Sequence, residues 1–280
     1  MSTPVAVFND STPVLPNAQR NPVLRALWVI RDSWSIAKRS LRHFFRQPRF
    51  VIFSTIQPVM FIVLFTFVFG GIAQSALDPG VSYISFLLPG ILVHSAAFRA
   101  TQTAVGIAED LERGVIDRFR SLPIARGSIL AGRTLADLIR SLMVILLMLV
   151  AGYLLGFRFT EGILSAVAAV AVVGLFGYLF SWLFCWLALI VPGSEAVQTA
   201  GFVLVFPLVF ASSIFVPLET MPSWLSAFAS ISPLTHATDA TRAFAIGGDA
   251  SRSLLWMFGW TAVAFLTVIP DSIRRFRGLT

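Results

Sequence analysis

The sequence predicts an all-α protein that lies almost entirely within a membrane, with six transmembrane helices and both termini on one side. Three observations carry that prediction. Of 280 residues, 56% are hydrophobic and only 12% are charged, about half the charged share of a typical soluble domain (about 25%). Uncharged stretches of roughly 20 residues, the length a bilayer core requires, recur along the chain. The basic residues cluster at particular ends of those stretches instead of scattering. A mean hydropathy of +0.81 excludes one water-soluble core able to hide this much apolar surface. The single cysteine, Cys185, excludes an intrachain disulfide framework and a Cys-rich metal site.

Residues 1–29 read as a flexible cytoplasmic tail, with Pro4, Pro13, Pro16 and Pro22 among Asn, Ser and Thr. This tail has no apolar core of a signal peptide. Residues 30–48 read as an amphipathic helix. Ile30, Trp34, Ala37, Leu41 and Phe44 recur at spacings of four and three, while Arg31, Ser35, Lys38, Arg39, Arg42 and Arg46 fill the other face. Such a helix is too charged to span. It is expected in the interface, with Trp34 at the acyl boundary and Lys38, Arg39 and Arg42 on anionic headgroups. It could serve as a surface anchor alone or also border a cytoplasmic partner.

The transmembrane domain, 49–280, then follows. Its spans are expected at about 50–71, 83–105, 135–157, 163–191, 197–216 and 254–270. Eight basic residues precede the first span, five lie between the second and third (Arg113, Arg118, Arg120, Arg126, Arg133), and three follow the sixth (Arg274, Arg275, Arg277). The opposite side holds only Arg158, Arg242 and Arg252. The positive-inside rule makes the basic side cytoplasmic, so the chain is expected in the inner (cytoplasmic) membrane with both termini inside. The net charge of +7 does not indicate nucleic-acid binding, because the positive charges border apolar spans and form no stripe on a soluble fold.

Between the second and third spans lies a charged helix at about 107–123. Leu111, Val115, Phe119 and Leu122 form one stripe. Glu109 with Arg113, and Arg113 with Asp117, have the i,i+4 spacing that supports an exposed helix, and Pro123 ends it. A turn between antiparallel spans needs only a few residues, so this element reads as either a solvated loop helix or a docking knob, and its length favours the knob. Gly114 falls mid-helix in this reading, where it costs about 1 kcal/mol relative to Ala; close approach of a partner backbone would explain it.

A second non-spanning segment runs from 220 to 248. Pro222 and Pro233 look like first-turn prolines of two short helices, with Ser232 as N-cap of the second. Trp224, Leu225, Phe228 and Ile231 give the first an apolar face, and Asp239 and Arg242 can pair at i,i+3. This pattern is too apolar for a free loop and too broken for a span. It predicts a re-entrant hairpin half-buried in the outer leaflet.

Both segments resemble those of a known family. Glu112, Gly114, Asp117, Arg118, Leu122 and Pro123 resemble the cytoplasmic coupling helix of type-2 ABC exporter permeases. The order Phe-x-Pro, Met-Pro-x-Trp-Leu, Pro-Leu-Thr and a later Arg resembles that family's re-entrant extracellular helices, with Ser232 standing where Asn is usual. The likeness covers the chain from about Phe50 onward and looks closest to the daunorubicin-resistance branch. It implies a permease in which Glu109, Asp110, Glu112, Arg113, Gly114, Asp117, Arg118 and Pro123 meet an ATPase subunit. Two ATPase copies and a second permease, identical or related, would complete the transporter. Cargo would be hydrophobic or amphipathic: a drug, a lipid or a lipid-linked glycan.

The remaining chemistry is sparse. The only lysine, Lys38, follows Ala37 and not Gly, so the chain has no P-loop and is not expected to be an enzyme. ATP and Mg would belong to the partner ATPase. His43, His94 and His236 are too dispersed for a zinc site. Among polar residues inside spans, Asp137 is expected to pair with Arg99 or with Arg140, as a structural bond between helices or as a functional group. The competing readings are a membrane-embedded enzyme or scaffold and a secondary transporter. The absence of a clear midplane carboxylate disfavours the last.

Overall fold

The computed structural model describes residues 31, 34, 35 and 38, then 48–77, 80–114 and 126–278. Among the described residues there is no strand. The helices are α1 (Pro48–Ala73), α2 (Tyr83–Glu112), α3 (Arg126–Leu154), α4 (Gly162–Ala188), α5 (Ser194–Phe210), α6 (Ser223–Ala229), α7 (Pro233–Ile246), α8 (Ser251–Val263) and α9 (Ile269–Gly278). A π-helical turn, Ala264–Val268, joins α8 to α9, so the two run on as one apolar rod. Five of these rods are long and apolar enough to cross a bilayer: α1, α2, α3, α4 and the α8–α9 pair. The expected fifth span, α5, is a shorter apolar helix of 17 residues. Pro207 lies within it, and the chain leaves the helix at Phe210, ahead of the expected end at 216.

The packing centres on α2, whose spanning window is 83% buried, against 6% for α8–α9 and 11% for α1. Its sequence explains the position. Gly90, Ala96, Ala97, Ala100, Thr101, Ala104 and Ala108 are small and buried, and small residues let helix backbones approach closely where lipid offers no hydrophobic drive. On α4, a Cβ added at Gly177 would lie 3.2 Å from the Cβ of Ala96. On α5, one at Gly201 would meet the Thr101 side chain at 3.1 Å. The tightest approach to another backbone is at Gly90, where a Cβ would fall 2.6 Å from the carbonyl oxygen of Ile214. α2 thus touches α1, α3, α4, α5 and α7, while the outer faces of α1, α3, α5 and α8 present Phe67, Leu154, Phe202 and Leu255 outward.

Two ends of the molecule follow from this arrangement. One is marked by Glu112, where α2 ends beside the first turn of α5 and Trp186 of α4 donates to Asp271 Oδ2 of α9 at 2.7 Å. The other holds α6 and α7. There α7 is largely buried against α2, α4 and α8, whereas α6 leaves Trp224 73% exposed. α6 therefore lies at the surface and α7 in the packed interior, unlike the evenly half-buried pair expected. Pro233 opens α7 at its first turn; Pro222 stands one position earlier, as the residue before α6. Ser232 occupies the N-cap position of α7, yet its hydroxyl makes no capping bond and is buried without a partner among the described residues.

Candidate functional site

The Glu112 end differs from the expected free-standing helix at 107–123. α2 runs unbroken from the span through Glu109, Asp110 and Glu112, so this charged turn is a rigid extension of the central helix. The helix stops at once afterwards. Arg113 N–H donates to Glu109 O at 3.0 Å, Gly114 N–H donates to Leu111 O at 3.2 Å, and Gly114 has φ +62°. That left-handed conformation closes helices and favours glycine. Gly114 is therefore not mid-helix, and its own backbone accounts for the missing side chain. Asp117, Arg118 and Pro123 lie outside the described residues.

Glu112 has a specific task here. Its Oε1 accepts the backbone N–H of Ser194 at 2.7 Å, and its Oε2 accepts the Ser194 hydroxyl at 3.0 Å. The carboxylate thus caps the N-terminus of α5, where unpaired N–H groups and the helix dipole favour negative charge. Gly193 makes the approach possible, with φ +91°. Nearby, Arg113 pairs with Glu109 at 3.1 Å, with Arg113 70% exposed. An exposed pair of this kind adds little stability and leaves both charges available at the surface. The Gly193-Ser194-Glu195 run resembles a helix start, but nothing in the sequence links it to Glu112, 82 residues earlier.

Below that end lies a polar layer between α2 and α3. The Thr103 hydroxyl donates to Asp137 Oδ2, and Asp137 Oδ1 pairs with Arg140 at 3.3 Å. Of the two expected partners the structure joins Asp137 to Arg140. Arg99, although within the field of Asp137, is not ion-paired with it, and its Nε and Nη2 are buried without a hydrogen-bond partner among the described residues. Thr103 was not anticipated as the bridging residue.

The opposite end is closed by Arg242. Its Nε donates to Phe86 O at 3.2 Å, Nη1 to Asp239 Oδ1 at 2.8 Å, and Nη2 to Ser213 O at 2.9 Å. The guanidinium also stacks on the Phe86 ring, 3.7 Å from its centroid. The expected Asp239–Arg242 pair is present, but it is one part of a knot joining α2, α7 and the chain after α5. Burial pushes the Arg242 pKa down to about 10, opposed by Asp239, so the group remains a cation at neutral pH. Ser213 adds a hydroxyl bond to Asp239 Oδ1 at 2.7 Å.

Between the two ends, aromatic rings line the seam of α1, α2 and α5. His94 lies 5.2 Å from Phe61 and 4.6 Å from Phe98, Phe65 stacks on Phe215 at 4.6 Å, and Phe98 meets Phe202 at 6.4 Å. Of the interfacial segment, Arg31, Trp34, Ser35 and Lys38 are helical and exposed; Arg39 and Arg42 lie outside the described residues.

Comparison with known proteins now identifies the architecture. The ABC-2 type transporter family model matches residues 31–245. The daunorubicin resistance ABC transporter permease protein DrrB1 of Streptomyces coeruleorubidus is 35% identical over 206 residues, covering 74% of this chain and 71% of that protein. The protein named "Probable doxorubicin resistance ABC transporter permease protein DrrC" of Mycobacterium tuberculosis is 30% identical over 237 residues, covering 82% and 83% respectively. This chain belongs to the ABC-2 type transporter family.

Proposed function

We propose that this chain is the transmembrane permease subunit of an ATP-driven exporter of a hydrophobic or amphipathic cargo. The carrying observation is at the Glu112 end. A charged, exposed helix tip, rigidly continuous with the central helix, is fastened by Glu112 to the start of α5. A push on that tip has a direct mechanical route into the spans. An ATPase subunit, holding ATP and Mg, would deliver it through Glu109, Asp110, Arg113 and the segment containing Asp117, Arg118 and Pro123. Glu112 would hold the tip to α5.

In this reading α5 completes six spans, 17 residues rising about 25 Å and the residues after Phe210 supplying the rest. The Glu112 end, with Arg113, Arg126, Arg133, Arg274 and Arg275, faces the cytoplasm by the positive-inside rule, and the α6–α7 hairpin faces outward. The exposed basic turn at Arg31, Trp34 and Lys38 lies on the inner leaflet, in the inner membrane. Two permease units, identical or related, and two ATPase copies form the transporter. The aromatic seam around His94 and the names of the relatives favour an amphipathic aromatic drug as cargo.

Inverted membrane vesicles carrying this chain and its ATPase test the reading. ATP should drive daunorubicin into them, and vesicles lacking either subunit should not accumulate it. Uptake that proceeds without the ATPase and follows a proton gradient would replace the proposal with secondary transport.

A further inference from the structure

The polar layer between α2 and α3 holds more hydrogen-bond donors than acceptors. The two helices run antiparallel, and the bond from Thr103 to Asp137 sets their register. One turn further toward the α6–α7 end, α2 presents Arg99 and α3 presents Ser141; a turn beyond, α2 presents Ser95. The level is confirmed through α4, where a Cβ at Gly177 would touch Ala96 at 3.2 Å and lie 3.6 Å from Ser141 Oγ. Asp137, the carboxylate of this layer, is engaged by Thr103 and Arg140. Among the described residues, Arg99 Nε and Nη2, Ser95 Oγ and Ser141 Oγ are all buried and have no partner.

A guanidinium buried among apolar helices is costly unless an anion or several acceptors meet it. Its planar fork matches the oxygens of a phosphate, and flanking hydroxyls are the usual complement to such a contact. A small hydrated ion would have to be stripped of water to reach this depth, whereas an amphiphile can lower its headgroup between helices along the lipid face. We infer that Arg99, with Ser95 and Ser141 beside it, forms a binding site between α2 and α3 for the phosphate group of an anionic membrane amphiphile, whose unbalanced negative charge, unlike that of a zwitterionic headgroup, offsets the guanidinium. The site stands independently of the exporter reading. The phosphate belongs either to a resident anionic phospholipid or to an anionic amphiphile in transit.

The full chain, reconstituted in nanodiscs of phosphatidylcholine alone or doped with phosphatidylglycerol, provides the test. By mass spectrometry of retained lipid, the wild-type protein should hold phosphatidylglycerol over phosphatidylcholine by about tenfold, the scale of one charge-assisted contact. Arg99→Gln should abolish the preference and Arg99→Lys should keep part of it. Arg275→Gln, altering an exposed ion pair at the same end, should leave it unchanged. In phosphatidylcholine alone Arg99→Gln should melt at or above the wild-type temperature, because a buried charge has been removed. The site is overturned if the wild type shows no preference, or if Arg99→Gln retains it. It is equally overturned if Arg275→Gln removes as much, or if Arg99→Gln melts well below wild type in phosphatidylcholine, which would mean that the protein itself satisfies Arg99. With the ATPase present, lipid that stays bound through ATP turnover identifies a resident lipid, and release on turnover identifies a transported one; both outcomes uphold the site.

Discussion

Arg242 and Arg99 are both arginines drawn out of water by the same helix bundle, yet the bundle treats them oppositely. Around Arg242 every face of the guanidinium is used: two carbonyls, one carboxylate and an aromatic ring. Around Arg99, Nε and Nη2 meet no acceptor among the described residues, and the adjacent carboxylate is engaged by Thr103 and Arg140. The first is a fastening between α2, α7 and the end of α5. The second is a place where the fold leaves a charge for something else to meet. The same contrast runs through the two ends of the molecule. The α6–α7 end is a closed knot, while the Glu112 end carries exposed charges on a rigid tip.

Breaking the knot should have the largest effect. Arg242→Ala leaves Asp239 with only the Ser213 hydroxyl and takes a donor from the carbonyls of Phe86 and Ser213 in a largely buried setting, which costs about 3–5 kcal/mol. Arg242→Lys should rescue little, since a point charge cannot serve three directions at once; thermal unfolding in detergent measures both. Gly90→Ala tests the neighbouring close approach. A Cβ there would stand 2.6 Å from a backbone oxygen, so α2 and the Ile214 segment must separate, with a loss of about 1–3 kcal/mol typical of overpacking. Unchanged stability in that variant would show the contact to be looser than described.

At the other end, Glu112→Gln and Ser194→Ala should each destabilise by about 1 kcal/mol, the scale of a helix cap. Their double mutant should lose less than the sum, because both remove one contact. Additive losses would mean that the cap is not formed. The smallest stability effect belongs to Glu109→Gln, whose exposed pair with Arg113 contributes about 0–1 kcal/mol. That variant sharpens the contrast if it leaves melting unchanged while weakening ATPase association.

The sequence made five of the six expected spans legible, because length and apolarity decide which helices can cross a membrane; the fifth, α5, falls short at 17 residues. It also disclosed that Asp239 could reach Arg242, since i,i+3 spacing is a property of one helix. What it could not disclose were the partners brought in by packing. Phe86 and Ser213 contribute carbonyls, which every residue has. Ser194 reaches Glu112 only because α2 and α5 are antiparallel neighbours. Gly114 was misread for a related reason. Amphipathic spacing continues past it, so the pattern gave no sign that the backbone turns left-handed there. The choice of Arg140 over Arg99 as partner of Asp137 was open in the sequence because both spacings allowed it; packing of α2 on α3 decides it.

The central claim is that the Glu112 tip couples these spans to an ATPase. Arg113→Glu tests it most directly, because Arg113 is 70% exposed and its reversal should spare the fold. Captured from membranes by a tag on the full chain, the wild-type protein should bring down an ABC ATPase in stoichiometric amount. The Arg113→Glu protein should be equally abundant, melt at the same temperature and lose most of that ATPase. An Arg113→Glu protein that retains the ATPase in full, or a wild-type chain that never captures one, would contradict the account.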